Sequence, residues 1–168
     1  MVRHYNGVAA YAPMYTHILK LLQPHKLTEA EKFNLDYPNP AMLTTIADKL
    51  RYYRYQKALK QNDAADYTGI FRSTYTHYEN GMGTYPLDKL EKTAELLEVS
   101  IYDLLDDYHL FLWTGQGKQL KMLQKERALT QKAVAELMGV NIASVKRWEF
   151  EKVTIPKDIW RKLVINPI

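Results

Sequence analysis

The fold is decided by residues 49–81, KLRYYRYQKALKQNDAADYTGIFRSTYTHYENG, and by their return seventy residues later as residues 119–151, QLKMLQKERALTQKAVAELMGVNIASVKRWEFE. A self-similar stretch at a fixed offset indicates a repeated structural unit. The two stretches align without a gap. Identical residues stand at Leu50 and Leu120, Ala58 and Ala128, Leu59 and Leu129, Gln61 and Gln131, Ala65 and Ala135, Gly69 and Gly139, and Glu79 and Glu149.

The second stretch predicts two helices joined by a tight turn. Thr130 is a good N-cap for a helix from Gln131 to Met138, and Gly139 suits the left-handed residue that ends it. Asn141 then caps another helix, while the small Ala135 lets the two axes approach closely. An apolar stripe at helical spacing packs this pair onto a preceding helix, predicted at Lys118–Arg127. The stripe comprises Val134, Leu137, Val140, Val145 and Trp148.

Both stretches resemble the Cro/repressor-type (Xre-like) helix-turn-helix domains of bacteria and phages. That family shows Leu-Thr-Gln, then Ala, Gly-Val and an aromatic-Glu pair at set spacings. The second stretch has Leu129-Thr130-Gln131, Ala135, Gly139-Val140 and Trp148-Glu149 at those places, and the first has Leu59, Gln61, Ala65, Gly69-Ile70 and Tyr78-Glu79-Asn80-Gly81. The resemblance extends from about Ala47 onward and implies an all-α protein with two such domains in tandem.

The resemblance also implies roles for individual residues. In this family the second motif helix lies in the DNA major groove, and the first directs its N-terminal Gln at a phosphate. The implied base-reading residues are Arg72, Ser73, Thr76 and His77 in the first copy and Ile142, Ala143, Lys146 and Arg147 in the second, with Gln61 and Gln131 on phosphates. Arg54 and Glu79 are implied as a structural ion pair. At the place of Arg54 the second copy has Gln124, so an ion pair to Glu149 would need Lys121 or Lys125.

Two cap positions of the first copy depart from the family pattern. Lys60 replaces the usual Thr, and Phe71 replaces the polar cap of the second motif helix. Because neither side chain accepts a hydrogen bond from the first N–H groups of a helix, the first motif is expected to be the less stable of the two.

Composition and the positions of helix-breaking residues predict that the chain is divided into three segments. Residues 1–44 form an appendage, with helices predicted at Met14–Leu22 and from Thr28 to about Leu35. Residues 45–108 form the first helix-turn-helix domain, with a long helix through Lys60 and a final short helix over residues 100–108. Residues 109–168 form a linker and a second, truncated domain, in which the apolar run at 110–113 extends the preceding helix or packs between the domains, and Gly115 and Gly117 form a turn.

Charge is distributed unevenly over these segments. Residues 45–108 carry eight basic and eleven acidic side chains, a net charge of −3, whereas residues 109–168 carry eleven basic and five acidic side chains, a net charge of +6. A basic surface attracts phosphate groups, so the C-terminal segment is expected to supply more of the salt-sensitive affinity for nucleic acid.

Catalysis is not expected from this sequence. The run Gly115-Gln116-Gly117-Lys118 lacks the spacing of a nucleotide-binding loop, and the five histidines have no metal-ligand spacing. Cysteine is absent, so thiolate metal sites and disulfides are excluded. No cofactor and no metal are predicted. No stretch has the apolar length of a membrane helix or the pattern of a secretory leader, and a soluble cytoplasmic protein is expected.

The sequence therefore predicts a protein that binds double-stranded DNA, a transcriptional regulator that reads two half-sites with two recognition helices. Dimerisation through the acidic helices or residues 1–44 is compatible with this reading. The alternative is a protein-interaction module, antitoxin-like or adaptor-like, in which one copy docks a protein partner. The acidic first domain and the apolar pair Ile142-Ala143 favour that alternative.

Overall fold

The computed structural model describes residues 27–165, and every regular element within that range is helical, which confirms the all-α prediction. The elements are α1 (Glu29–Asp36), a 3-10 turn (Pro40–Met42), α2 (Ile46–Gln56), α3 (Gln61–Thr68), α4 (Arg72–Glu79), α5 (Leu87–Leu97), α6 (Ile101–Leu104), α7 (Asp107–Trp113), α8 (Gln116–Glu126), α9 (Gln131–Met138), α10 (Ile142–Glu149) and α11 (Lys157–Ile165). None of these helices is both long and apolar enough to cross a membrane.

Contacts divide the chain into an N-terminal unit, residues 1–38, and a main unit, residues 39–168. The described part of the N-terminal unit contains α1. The Thr28 hydroxyl accepts a hydrogen bond from the N–H of Glu31 (3.2 Å), and the Glu31 carboxylate accepts one from the N–H of Thr28 (2.8 Å). This reciprocal capping box begins the helix where the sequence predicted it. The helix predicted at residues 14–22 lies outside the described residues.

Three helices of the main unit recur at one offset. Helices α2, α3 and α4 begin and end seventy residues before α8, α9 and α10, respectively. We call α2–α4 the first repeat and α8–α10 the second repeat. In each repeat a glycine with positive φ ends the middle helix, Gly69 and Gly139 both at φ 67°. Such backbone is accessible to glycine without a steric penalty, so both repeats use the same tight turn into the next helix.

Each repeat packs onto its own hydrophobic core. The first core is completed by α5 and α6, and the second by α11 together with the segment that precedes it. Fully buried side chains of the first core include Leu50, Leu90, Leu97 and Leu104, and those of the second include Leu120, Val134, Val145 and Ile155. In the second repeat α11, the segment before it and Phe111 of α7 therefore take the place that α5 and α6 have in the first.

Helix α2 ends at Gln56, before the predicted end at Lys60. Ala58 has a positive φ of 52°, and the N–H of Leu59 turns back to the carbonyl of Arg54 (3.1 Å). Ala128 has the same left-handed backbone, with φ 50°, after α8. The chain thus closes both helices with a left-handed alanine, a residue type that does not signal this conformation in a sequence.

The single helix predicted for residues 100–108 is wrong, because the chain breaks there into α6 and α7. Leu105 leaves the helix with extended backbone, and the Asp106 carboxylate accepts a hydrogen bond from the N–H of His109 (2.8 Å) to begin α7. Leu104 and Leu105 are both buried in or against the first core. The apolar run at residues 110–113 accordingly belongs to α7 and not to an extension of α6.

Gly117 lies inside α8, which begins at Gln116, two residues before the predicted start at Lys118, and Gly117 is not part of a turn. A Cβ atom at Gly117 would lie 2.4 Å from the carbonyl oxygen of Glu149. Gly115 supplies the turn, with φ 90°. Gly117 is therefore required by the close approach of α8 to the end of α10.

Candidate nucleic-acid interface

The predicted base-reading residues of the first repeat share one face of α4. Arg72, Ser73 and His77 are exposed, and Thr76 is partly exposed. The opposite face consists of Tyr75, Tyr78 and Glu79, all of which are buried. Helix α4 therefore presents polar groups able to donate or accept hydrogen bonds on a surface that is clear of the core.

Helix α10 has the same division into two faces. Ile142, Ala143, Lys146 and Arg147 are exposed, whereas Val145, Trp148 and Glu149 are buried. The exposed groups differ in kind from those of α4. At its N-terminal end α10 offers only apolar surface, and its two cations stand one turn further along the helix.

A buried ion pair fixes the position of α4 in the first repeat. Arg54 of α2 donates to both carboxylate oxygens of Glu79, at 2.5 Å from Nε and 2.8 Å from Nη2, and also to the carbonyl of Leu59 at 2.9 Å. Burial acts to lower the pKa of Arg54, but the hydrogen bond and charge of Glu79 outweigh it and raise that pKa. Bidentate pairs of this kind combine charge with a defined geometry.

The equivalent carboxylate of the second repeat is held by two neutral amides. Glu149 accepts from Nε2 of Gln124 and from Nε2 of Gln131, both at 2.6 Å. In the described part of the chain no lysine or arginine forms an ion pair with Glu149, so the ion pair that would need Lys121 or Lys125 is not formed. Lys121 instead lies over the ring of Phe150, with Nζ 5.3 Å from the ring centroid.

Gln61 and Gln131, the predicted phosphate-contacting residues, both turn toward this inner carboxylate. The Gln61 amide donates to Glu79 at 2.9 Å, and its carbonyl accepts from the Thr76 hydroxyl at 3.0 Å. Both glutamines remain partly exposed at the start of their helices. Because each amide has two N–H groups, the hydrogen bond to the carboxylate leaves one donor for another acceptor. Phosphate contact remains a prediction for both residues.

The caps of the two motifs differ as their sequences do. Thr130 accepts from the N–H of Ala133 at 3.1 Å, and Asn141 accepts from the N–H of Ala143 at 2.8 Å. Lys60 and Phe71 have no cap of this kind, and Phe71 is 82% exposed. The Asp63 carboxylate compensates in part, accepting from the backbone N–H of Lys60 at 2.7 Å.

Glu151 makes a structural contact that the local sequence does not predict. It has φ 54° at the place where the first repeat has Gly81, and its carboxylate accepts from the N–H of Gly117 at 3.0 Å. An anion at the start of a helix is favoured by the unpaired N–H groups and the helix dipole. Glu151 therefore caps α8 from a strained backbone position.

Comparison with known proteins supports the assignment of the first repeat. Residues 50–104 match the model of the helix-turn-helix family. The HTH-type transcriptional regulator SinR of Bacillus subtilis strain 168 is 31% identical over 72 residues, 42% of this chain and 65% of SinR. The cryptic phage CTXphi transcriptional repressor RstR of Vibrio cholerae is 24% identical over 107 residues, 64% of this chain and 96% of RstR.

The coverage of the two relatives differs. The match spans less than two thirds of the length of SinR but nearly all of RstR. No solved structure matches the chain significantly.

Proposed function

We propose that this protein is a cytoplasmic DNA-binding transcriptional regulator, and that α4 and α10 are both recognition helices. One observation carries the proposal. Helices α4 and α10, with their polar or basic exposed faces, are held in position in the same way. In each repeat a glutamate at the end of the third helix accepts hydrogen bonds from side chains of the two preceding helices, an arrangement that we call the frame. The family match at residues 50–104 and the names of the two relatives support the same conclusion.

Helix α4 has the chemistry for direct readout of bases. Arg72 is able to donate two hydrogen bonds to O6 and N7 of a guanine, a contact that contributes roughly 1 to 3 kcal/mol of discrimination. A cation in the first turn opposes the helix dipole, so its presence there favours a role in binding an external anion or acceptor. Ser73, Thr76 and His77 are positioned on the same face for neighbouring acceptors and donors.

Helix α10 is suited to a different sequence. Ile142 and Ala143 offer apolar contacts, for example to the methyl group of thymine, while Arg147 is the group best suited to a guanine and Lys146 to a phosphate. The net charge of +6 over residues 109–168 favours a larger electrostatic contribution from this half. The two helices would thus read an asymmetric site of two unlike half-sites.

A second function is favoured by one observation. Ile142 is 40% exposed and, with the exposed Ala143, gives the base-reading face of α10 an apolar part that the base-reading face of α4 does not have. In this alternative α10 docks a protein partner and only α4 reads DNA. Homodimerisation is compatible with both functions and is required by neither.

Selection of bound sequences from a random duplex pool tests the proposal. We would run it with the wild-type chain at a low and a high salt concentration, and then with Arg72→Ala and Arg147→Ala. Arg161→Ala, which removes an exposed arginine of α11, is the matched control for loss of charge. Gln131→Ala tests the phosphate role.

The proposal predicts an enriched motif in two parts. Arg72→Ala should relax one part and Arg147→Ala the other, whereas Arg161→Ala should leave both intact. Gln131→Ala should weaken binding to all sequences about equally, because phosphate contacts carry no sequence information. A motif in one part that is indifferent to Arg147→Ala would favour the partner-docking alternative. No enrichment at all would contradict DNA reading by either helix.

A further inference from the structure

The two repeats are joined by a helix whose side chains enter both cores. Helix α7 places Trp113 against the first core and Phe111 against the second. Only Thr114 and Gly115 separate α7 from α8. The connection is therefore a packed structural element and not a flexible tether.

A set of polar and aromatic contacts also joins the start of α7 to α11 and to the segment that precedes α11. The Tyr108 hydroxyl donates to the carbonyl of Ile155 at 2.7 Å, and Nζ of Lys157 lies 2.8 Å from Oδ2 of Asp106. The ring of Trp160 packs edge-on against Tyr108, with the ring centroids 5.5 Å apart. We call Asp106, Tyr108, Lys157 and Trp160 the junction cluster. It links the end of the first domain to the start of α11.

The charged part of this cluster is partly sheltered from solvent. Asp106 also contacts Nδ1 of His109 at 2.5 Å, and His109 is buried. Burial acts to raise the pKa of Asp106, but the hydrogen bonds from His109 and Lys157 outweigh it and hold that pKa well below its usual range. The carboxylate is thus charged at neutral pH and available to pair with Lys157.

The segment before α11 is fixed as well. The Gln116 side chain donates to the carbonyl of Val153 at 2.6 Å and accepts from the N–H of Ile155 at 2.8 Å. Gln116 is itself buried at the start of α8. The Ile155 carbonyl, which accepts from the Tyr108 hydroxyl, therefore belongs to a segment that Gln116 holds at Val153 and at Ile155 itself.

We infer that the junction cluster fixes α4 and α10 in one relative placement and so sets the spacing of the two DNA half-sites. This inference rests on the proposed function of both helices. Inserting one base pair moves a half-site by about 3.4 Å and turns it by about 35° around the duplex. Rigidly joined readers accommodate one such arrangement, whereas domains on a flexible linker accommodate many. Asp106, Tyr108 and Lys157 act as positioning residues for spacing specificity.

A series of duplexes tests the inference with the full-length chain. Each duplex carries both selected half-sites, and the spacer is lengthened one base pair at a time to about five, half a helical turn. The junction variants are Tyr108→Phe and Lys157→Met. Their matched controls are Tyr102→Phe and Lys162→Met, which alter exposed residues of α6 and α11. Thermal melting of every variant identifies any that fails to fold, and the mild Tyr108→Phe change keeps the test independent of Lys157→Met.

The wild-type chain and both controls should lose affinity by about 100-fold when the spacer is wrong, because the second contact is then lost. The junction variants should bind the duplex of selected spacing less tightly than the wild type does. Their affinity should then fall by less than about tenfold across the series of spacers. Equal binding at all spacings by the wild type, or an undiminished loss in both junction variants, would overturn the inference. Failure to bind either half-site alone at low salt would instead contradict the proposed function.

Backbone relaxation measured by NMR on the unbound chain provides a readout that does not involve DNA. Amides of α2–α4 and of α8–α10 should report one shared rotational correlation time in the wild type. Separate, shorter correlation times for the two groups should develop in the junction variants. Separate times already in the wild type would overturn the inference whether or not the protein binds DNA.

Discussion

The two repeats hold a glutamate in the same place by different chemistry. In the first, Glu79 is 1% exposed and receives a bidentate arginine; in the second, Glu149 is 7% exposed and receives two glutamine amides. Helices α2–α4 and α8–α10 nevertheless have the same bounds at one offset. The comparison teaches that this frame requires a buried acceptor and matching donors, and that full charge neutralisation is one way among others to supply them.

A second pair of positions shows a compensating exchange. The first repeat has Ala47 and Gly81, and a Cβ built on Gly81 would lie 4.0 Å from the Cβ of Ala47. The second repeat has Gly117 and Glu151 at these places, with the side chain on the opposite partner. Glu151 then uses its carboxylate to cap the helix that contains Gly117. A Cβ on Gly81 would make an ordinary van der Waals contact, whereas one on Gly117 would meet the backbone of Glu149, so the second repeat is the more tightly packed at this contact.

The largest expected effect is the loss of stability when a donor to one of the two buried glutamates is removed, and it should differ between the two sites. Arg54→Met should destabilise the first repeat by about 3 to 5 kcal/mol, because it leaves a buried carboxylate without its counter-charge. Gln124→Met should destabilise the second repeat by about 1.5 to 3 kcal/mol, since one hydrogen bond to a charged group is lost while Gln131 remains. Amide hydrogen exchange resolves the opening free energy of each repeat separately. A larger effect of Gln124→Met would contradict this account of the two sites.

The next effect concerns the close approach at Gly117. Gly117→Ala should destabilise the second repeat by about 1 to 3 kcal/mol, because the new methyl group would meet the backbone of Glu149. In an uncrowded helix the same change is stabilising by about 1 kcal/mol. The sign of the change in unfolding free energy, measured with urea, therefore decides whether the contact is tight. Ala47→Gly in the first repeat is the reciprocal variant and should be only mildly destabilising.

The helix caps should respond in opposite directions. Thr130→Ala should destabilise the second repeat by about 1 kcal/mol, because the N–H of Ala133 loses its acceptor. Lys60→Thr should stabilise the first repeat by about 0.5 to 1 kcal/mol by supplying the missing acceptor. Thermal unfolding measures both. A destabilising Lys60→Thr would show that the difference in caps does not account for a difference in stability between the motifs.

The smallest effect is expected at Glu151. Glu151→Gly should change stability little, since relief of the left-handed backbone, about 1 kcal/mol, offsets loss of the cap to Gly117. Glu151→Ala loses the cap and keeps the backbone strain, so it should be the more destabilising change by about 1 kcal/mol. Equal unfolding free energies for these two variants would argue against strain at this position.

Local signals in the sequence accounted for much of this fold. Thr130, Asn141, Gly69 and Gly139 mark helix ends by their own backbone and side-chain preferences, and both bounds of α9, the end of α3 and the start of α10 follow from them. The sequence does not indicate the end of α2, because the left-handed residue there is an alanine. The break between α6 and α7 combines a local signal, the Asp106 cap, with the burial of Leu104 and Leu105, which is a property of the packed core.

Long-range contacts explain what sequence reasoning missed at the site. The local sequence predicts a turn at Gly117, because the carbonyl of Glu149, which requires the glycine, is distant along the chain. The likeness to Arg54 predicts a cation beside Glu149, but two amides supply the hydrogen bonds there. The base-reading assignments rest on helix position and exposure, and they stay predictions because they depend on how α4 and α10 approach a duplex.

A transplant of the exposed face tests most directly the central claim that both repeats present recognition helices on equivalent frames. The variant Ile142→Arg, Ala143→Ser, Lys146→Thr, Arg147→His gives α10 the outward residues of α4 and leaves its buried residues unchanged. Selection from a random duplex pool should then return a motif in which the second half has become a copy of the first. A folded variant that still selects the wild-type motif would contradict the claim, because α10 would then not be reading the second half.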